Sequence, residues 1–132
     1  MPRVLVVDEE ASSARVMAIC LRIEGFDVET ASGADTAMAS LESTPFDLAV
    51  LDLMMPGTNG IQLARMVRER CPRTRVVLTS AYHLSEQQLV RADCGAVGFV
   101  PKPFDLSELA AFLLSKLGSG APGPFEMRGA AA

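Results

Sequence analysis

The chain alternates between short apolar runs and longer stretches with helical spacing, and no other feature restricts its fold as much. Val4-Leu5-Val6-Val7 is a continuous, mostly β-branched run that stops at Asp8-Glu9-Glu10. Such runs suit a strand buried on both faces. Val16, Met17, Cys20 and Leu21 then share one face of a helix that ends at Gly25. Phe26 to Thr30 alternates as a half-buried strand does. Ser32 to Ser43 reads as a second helix, stopped by Pro45. Leu48-Ala49-Val50-Leu51 is a third strand, ending at Asp52. Ile61, Ala64, Val67 and Cys71 mark a third helix, closed by Pro72. Val76-Val77-Leu78 is a fourth strand that runs into Thr79-Ser80. Ser85 with Gln88 forms a capping box for a fourth helix, which Gly95 closes. Val97-Gly98-Phe99-Val100 is a fifth strand, with Gly98 as a close-packing position. Asp105 with Glu108 opens a fifth helix whose face is Leu106, Leu109, Phe112, Leu113 and Leu117.

Five β-α units in this order predict an α/β fold: a five-stranded parallel sheet with helices on both faces and right-handed crossovers. The length of 132 residues allows one ordinary domain and is too short for two well-cored ones. After Leu117 the composition changes to Gly118-Ser119-Gly120-Ala121-Pro122-Gly123-Pro124, and the sequence closes on Gly129-Ala130-Ala131-Ala132. Residues 1–117 are therefore expected to form the domain, and residues 118–132 a flexible tail or linker remnant.

Composition removes several function classes. A hydrophobic fraction of 49% with 21% charged residues suits a packed core. No apolar run approaches the roughly 18 residues of a membrane span, and the apolar run at the N-terminus is too short for a signal peptide. Cys20, Cys71 and Cys94 are widely spaced and form neither a disulfide framework nor a CxxC metal pair. A soluble, reduced, cytoplasmic protein is expected. The net charge of -4 offers no basic face for nucleic acid. His83 is the one histidine, with no G-x-S-x-G near Ser80, so a Ser-His-Asp triad is dismissed. His83 is expected in an exposed loop.

In an open parallel sheet, ligands bind beyond the carboxyl ends of the strands. Asp8, Glu9 and Glu10 follow the first strand, Asp52 the third, Ser80 the fourth and Lys102 the fifth. Carboxylates gathered on one rim repel one another and raise each other's pKa. A hard divalent cation with oxygen ligands relieves this, and Mg²⁺ suits one or two carboxylates plus waters and a phosphate. The competing reading of these acids is as helix N-cap groups, strongest for Glu10. Lys102, between Pro101 and Pro103, stands out because the chain has ten Arg and only two Lys, Lys102 and Lys116. A compact point charge is the physical reason to keep Lys there. Lys102-Pro103 is a candidate cis bond. Ser80 and its neighbour Thr79 are separated only by strand register. Known phosphate loops, G-x-x-x-x-G-K-[ST] and G-x-G-x-x-G, are absent. A haloacid-dehalogenase-type phosphatase would need an acid two positions after Asp52, where Met54 stands.

Four motifs in order resemble the receiver domain of two-component response regulators. They are Val6-Val7-Asp8-Glu9-Glu10, Leu51-Asp52-Leu53-Met54-Met55-Pro56-Gly57 with Gly60, Thr79-Ser80-Ala81, and Val100-Pro101-Lys102-Pro103-Phe104. The likeness spans residues 3–117 and implies a flavodoxin-like (βα)5 fold. It implies that Asp52 is the phosphoacceptor, taking a phosphoryl group from a phosphohistidine on a sensor histidine kinase or phosphotransfer protein. Asp8 and Glu9 would hold Mg²⁺ with Asp52 and the backbone carbonyl of Met54. Lys102 would pair with the phosphoryl group, Ser80 would hydrogen-bond it, and Phe99 would turn inward as the switch aromatic.

The resemblance further implies a phosphorylation-dependent signalling switch that catalyses its own phosphorylation and dephosphorylation rather than a conventional enzyme. Its partner and homodimer surface would be the fourth helix, fifth strand and fifth helix, without direct nucleic-acid or membrane contact. The alternative is a degenerate receiver that serves as a constitutive protein-interaction module. Two departures qualify the likeness. The acidic pair is Asp8-Glu9, and Glu9 reaches about 1.5 Å further than an aspartate, which favours metal ligation through water. Met54 and Tyr82 are bulky beside the site and are expected to slow hydrolysis of a phosphorylated form.

Overall fold

The computed structural model describes residues 1–55, 57–82, 84–117 and 125–127. Five strands form its centre: β1 (Arg3–Val7), β2 (Asp27–Ala31), β3 (Leu48–Asp52), β4 (Arg75–Ser80) and β5 (Gly98–Pro101). Between and after them run α1 (Ala11–Ile23), α2 (Ala34–Ser43), α3 (Gly60–Arg70), α4 (Glu86–Ala92) and α5 (Leu106–Ser115). A two-residue strand, β6 (Glu126–Met127), follows. All neighbours pair in parallel in the order β2-β1-β3-β4-β5-β6. The expected five-stranded doubly wound sheet is thus present, with one short strand added at its edge.

Period-two alternation divides the core. Leu5, Val7, Ala49, Leu51, Val76, Leu78 and Phe99 face α2, α3 and α4. Val4, Val6, Leu48, Val50, Val77 and Val100 face α1 and α5. Both faces of the central strands are buried, which is why these strands read as continuous apolar runs.

Helix ends follow local chemistry. The Ser85–Gln88 capping box is formed, and Asp105 caps α5 by accepting from the Ser107 and Glu108 amides. A second capping box, Asn59 with Gln62, opens α3, with its Asn-x-x-Gln signature in the sequence. α4 ends at Ala92, three residues short of Gly95, because Asp93 turns left-handed at φ +48, a conformation Asp tolerates better than most residues. Gly95 also has positive φ and lies against the Arg68 side chain, but it does not cap the helix.

Two further expectations are corrected. On α1, Met17 and Leu21 are buried as expected, but Ala14 and Ala18 complete the face, Cys20 is only partly buried and Val16 is 53% exposed. Small residues let the helix lie close to the sheet, and the larger branched ones turn to solvent. In the stretch expected as a tail, Phe125–Met127 returns to the sheet: the Glu126 amide donates to the Val97 carbonyl at 3.2 Å, and Phe125 packs against the α2–α4 side of the core. The rest of that stretch lies outside the described residues, as do Pro56 and His83. Among the described residues no helix is long and apolar enough to cross a membrane.

Candidate functional site

Register brings the strand ends together. Val7 pairs with Leu51, Asp52 with Thr79, and Ser80 with Pro101. Asp8, Asp52, Ser80 and Lys102 therefore leave the sheet on one rim, as their positions after the strands predict.

One local device orients three of them. Asp8 Oδ1 accepts from the Glu10 amide at 3.0 Å, Asp52 Oδ1 from the Met54 amide at 3.1 Å, and Ser80 Oγ from the Tyr82 amide at 3.0 Å. Each is a side chain bonded to the backbone two residues on, the Asx- or Ser-turn geometry. The turn uses Oδ1 of each aspartate and leaves Oδ2 to face Lys102. The Lys102 ammonium lies 3.2 Å from Asp8 Oδ2 and 3.5 Å from Asp52 Oδ2. The Lys102 amide donates to the Ser80 carbonyl at 2.8 Å, and the Lys102-Pro103 bond is cis.

The β3–α3 loop is held close. The Leu53 amide donates to the Thr79 carbonyl, and the Gly60 amide to the Leu53 carbonyl. A Cβ at Gly60 would stand 2.6 Å from the Asp52 carbonyl oxygen and 2.7 Å from Leu53 Cα. Only glycine allows the start of α3 to approach the aspartate this closely.

Burial raises the Asp52 carboxyl above its ordinary value; the Met54 amide and Lys102 oppose this, and the Asp8 charge adds to it. Two largely buried carboxylates share one ammonium, which leaves a net negative, oxygen-rich site. That donor set fits a hard divalent cation completed by waters and a carbonyl. Among the described residues no group of three or more His, Cys, Asp or Glu side chains stands ready to hold a metal. Glu9 is exposed and does not join Asp8 and Asp52. Glu10 occupies the N-cap position of α1, but its side chain makes no cap bond there.

The remaining candidates are placed as follows. Met54 and Tyr82 are both exposed beside the rim. Thr79 and Ser80 are both buried. Phe99 is only 1% exposed, so the aromatic expected to turn inward already lies inside.

Two aspartates, a serine and a lysine thus share the carboxyl rim of a doubly wound parallel sheet, the place where such sheets bind ligands. The comparisons with known proteins give the family. Residues 4–114 match the response regulator receiver domain, and the chain belongs to that family. It is 36% identical over 125 residues to the DNA-binding response regulator MtrA of Mycobacterium tuberculosis, covering 95% of this chain and 54% of that protein. It is 34% identical over 107 residues to the regulatory protein AtoC of Escherichia coli, covering 81% of this chain and 23% of that one. The chain thus spans about half or less of the length of these curated relatives. Among solved structures it is similar to the response regulator TrrA of Thermotoga maritima in complex with Mg²⁺-BeF, with a TM-score of 0.78 and 30% identity over 87% of this chain and 98% of that one. It is also similar to the chemotaxis protein CheY4 of Vibrio cholerae, with a TM-score of 0.81 and 27% identity over 87% and 98% of the two chains.

Proposed function

We propose that the protein is a phosphorylation-dependent signalling switch in which Asp52 accepts the phosphoryl group. The observation that carries this reading is the Lys102 ammonium shared between Asp8 and Asp52. It sets one fixed positive charge beside a carboxylate in a mostly buried rim. Phosphoryl transfer needs positioning and charge stabilisation more than covalent chemistry from the protein. The Asp52 carboxylate attacks phosphorus; the new P–O bond forms as the P–N bond of a partner's phosphohistidine breaks, and the electron pair returns to the imidazole. Asp8 and Asp52, with the Met54 carbonyl, are the residues that would hold Mg²⁺, and Glu9 would reach it through water. The metal would supply charge neutralisation between the acceptor and the phosphoryl oxygens.

The partner is read as a sensor histidine kinase or phosphotransfer protein. A groove of about 540 Å³ opens beside Asp8 and Lys102, lined by Val16, Met17, Phe104 and Leu106. Its apolar wall next to the acceptor suits a docking helix from such a partner. The phosphoryl group converts a single negative charge into nearly two, and Lys102 and Ser80 are the groups positioned to answer it. Because Phe99 is already inside, the charge acts by deepening an arrangement already populated. Propagation runs through α4, β5 and α5, where a second copy would dock.

Incubation with acetyl phosphate and Mg²⁺, read by intact mass, tests the assignment. One added phosphoryl group on the native chain and none on Asp52→Asn is the expected result. Labelling that persists in Asp52→Asn, or a native chain that never labels, overturns it; the second outcome would leave a constitutive interaction module.

A further inference from the structure

The β5 edge carries a feature that phosphoryl transfer does not use. An exposed strand edge is a template for another strand, and here Glu126–Met127 occupies it in parallel, Gly98 opposite Glu126 and Phe99 opposite Met127. Period-two alternation sends the two preceding side chains to opposite faces. Glu126 reaches the α5 side, where its carboxylate meets the Lys116 ammonium at 2.6 Å. Phe125 reaches the other side and packs on the cluster that contains Phe99.

With the strand in place the Lys116 side chain is only 9% exposed, and Glu126 supplies the charged partner that an ammonium so withdrawn from water needs. It also lies 5.2 Å from the Phe112 ring centroid. The edge of that ring fills the space above Gly98: a Cβ there would stand 2.5 Å from Phe112 Cζ and 3.1 Å from the Glu126 carbonyl oxygen. Glycine at 98 thus admits both the α5 aromatic and the returning strand.

We propose that the β5 edge is a strand-docking site whose occupant is this chain's own Phe125–Met127, and that docking there is coupled to occupancy of Asp52 through Phe99. The coupling rests on the phosphoacceptor reading given above. Its physical basis is differential contact: the strand pairs with the backbone of Phe99 and packs on the cluster formed with Phe99 inside, so it favours that arrangement. Whatever else favours the same arrangement then tightens the strand, and the two effects are equal by linkage.

The test uses the full chain with beryllofluoride and Mg²⁺ as the phosphoryl mimic. Amide exchange at Glu126 should slow by about threefold or more on adding the mimic. Glu126→Lys, which sets two ammonium groups together, should weaken the mimic's affinity by the same factor. The charge swap Lys116→Glu with Glu126→Lys should restore most of it. If the Ser80 and Lys102 amides shift while exchange at Glu126 stays unchanged or quickens, the coupling is overturned and the phosphoacceptor reading stands. If no amide at the rim responds, both fall together. Protection at Glu126 that rises with protein concentration would assign the strand to a second copy and overturn docking within the chain.

Discussion

The ammonium of Lys102 lies 3.2 Å from Oδ2 of Asp8. The same cation stands 3.5 Å from Oδ2 of Asp52, so one positive charge serves two carboxylates. Lys102→Met removes it and leaves both acids facing each other in a desolvated rim. The chain should lose about 1–3 kcal/mol of stability in metal-free buffer, and the Asp52 carboxyl should titrate still higher, because an influence that lowers it is gone. Mg²⁺ should return part of the loss and bind more tightly than to the native chain. Urea denaturation with and without Mg²⁺ checks both points. A variant as stable as the native chain without metal would mean the two acids do not share this charge.

Asp52 gives stability a defined pH dependence. Burial raises its carboxyl above the ordinary 3.8, so the folded chain keeps the proton to higher pH than the unfolded one. Stability from this group is therefore greatest below 3.8 and falls as pH rises through the raised value. Asp52→Asn removes the ionised form, so its advantage over the native chain should grow as pH rises above 3.8 and level off above the raised value. At neutral pH it should melt above the native chain without metal. Asp105 has the opposite sign. The Ser107 hydroxyl, then the Ser107 and Glu108 amides, hold it below its ordinary value. Its contribution is present above 3.8 and is lost as pH falls through the lowered value. Thermal scans of Asp52→Asn and Asp105→Ala across pH should diverge from the native curve in these two directions.

Gly60→Ala tests the close approach of α3 to the acceptor. The added methyl would meet backbone atoms, the Asp52 carbonyl oxygen and Leu53 Cα, at 2.6 and 2.7 Å. Backbone cannot swing aside as a side chain does, so the β3–α3 loop must move. A loss of about 2 kcal/mol with slower labelling by acetyl phosphate is expected. Unchanged stability and labelling would show that the loop yields freely.

What could be read in the sequence followed physical necessity. Asp8, Asp52 and Lys102 stand at the ends of buried strands, and a parallel sheet has one rim where such residues can meet. The strands themselves were legible because both faces are buried, which leaves unbroken apolar runs. The α1 face was misread for a related reason: Val16 attracts a hydrophobic count, while contact with the sheet selects Ala14 and Ala18 for their size. Of the adjacent acids, Asp8 meets Lys102 while Glu9 is exposed, a difference that strand-end geometry sets and spacing does not encode. β6 follows a Gly/Pro-rich run and is two residues long, with no periodicity to detect. Its partners lie outside it: Gly98 across the ladder and Lys116 ten residues earlier. The inward position of Phe99 is a rotamer state, which composition and spacing do not encode.

Thr79 and Ser80 remain adjacent hydroxyls with different surroundings. Thr79 lies opposite Asp52 in the sheet register, inside the ladder. Ser80 ends the strand, and its Oγ accepts from the Tyr82 amide at 3.0 Å, so its hydroxyl belongs to the turn that leads toward α4. A group that follows charge on Asp52 and transmits it to α4 must sit in that turn. Ser80→Ala should therefore label with acetyl phosphate while losing most of the beryllofluoride-induced amide shifts in α4 and β5. Thr79→Val, which keeps shape and removes only the hydroxyl, should keep those shifts, and its effect should appear as a stability change of about 1 kcal/mol. Heteronuclear NMR of both variants with and without the mimic separates them. If Thr79→Val silences α4 and Ser80→Ala does not, the switching hydroxyl is the one opposite Asp52, and the turn at Tyr82 is only a strand terminus.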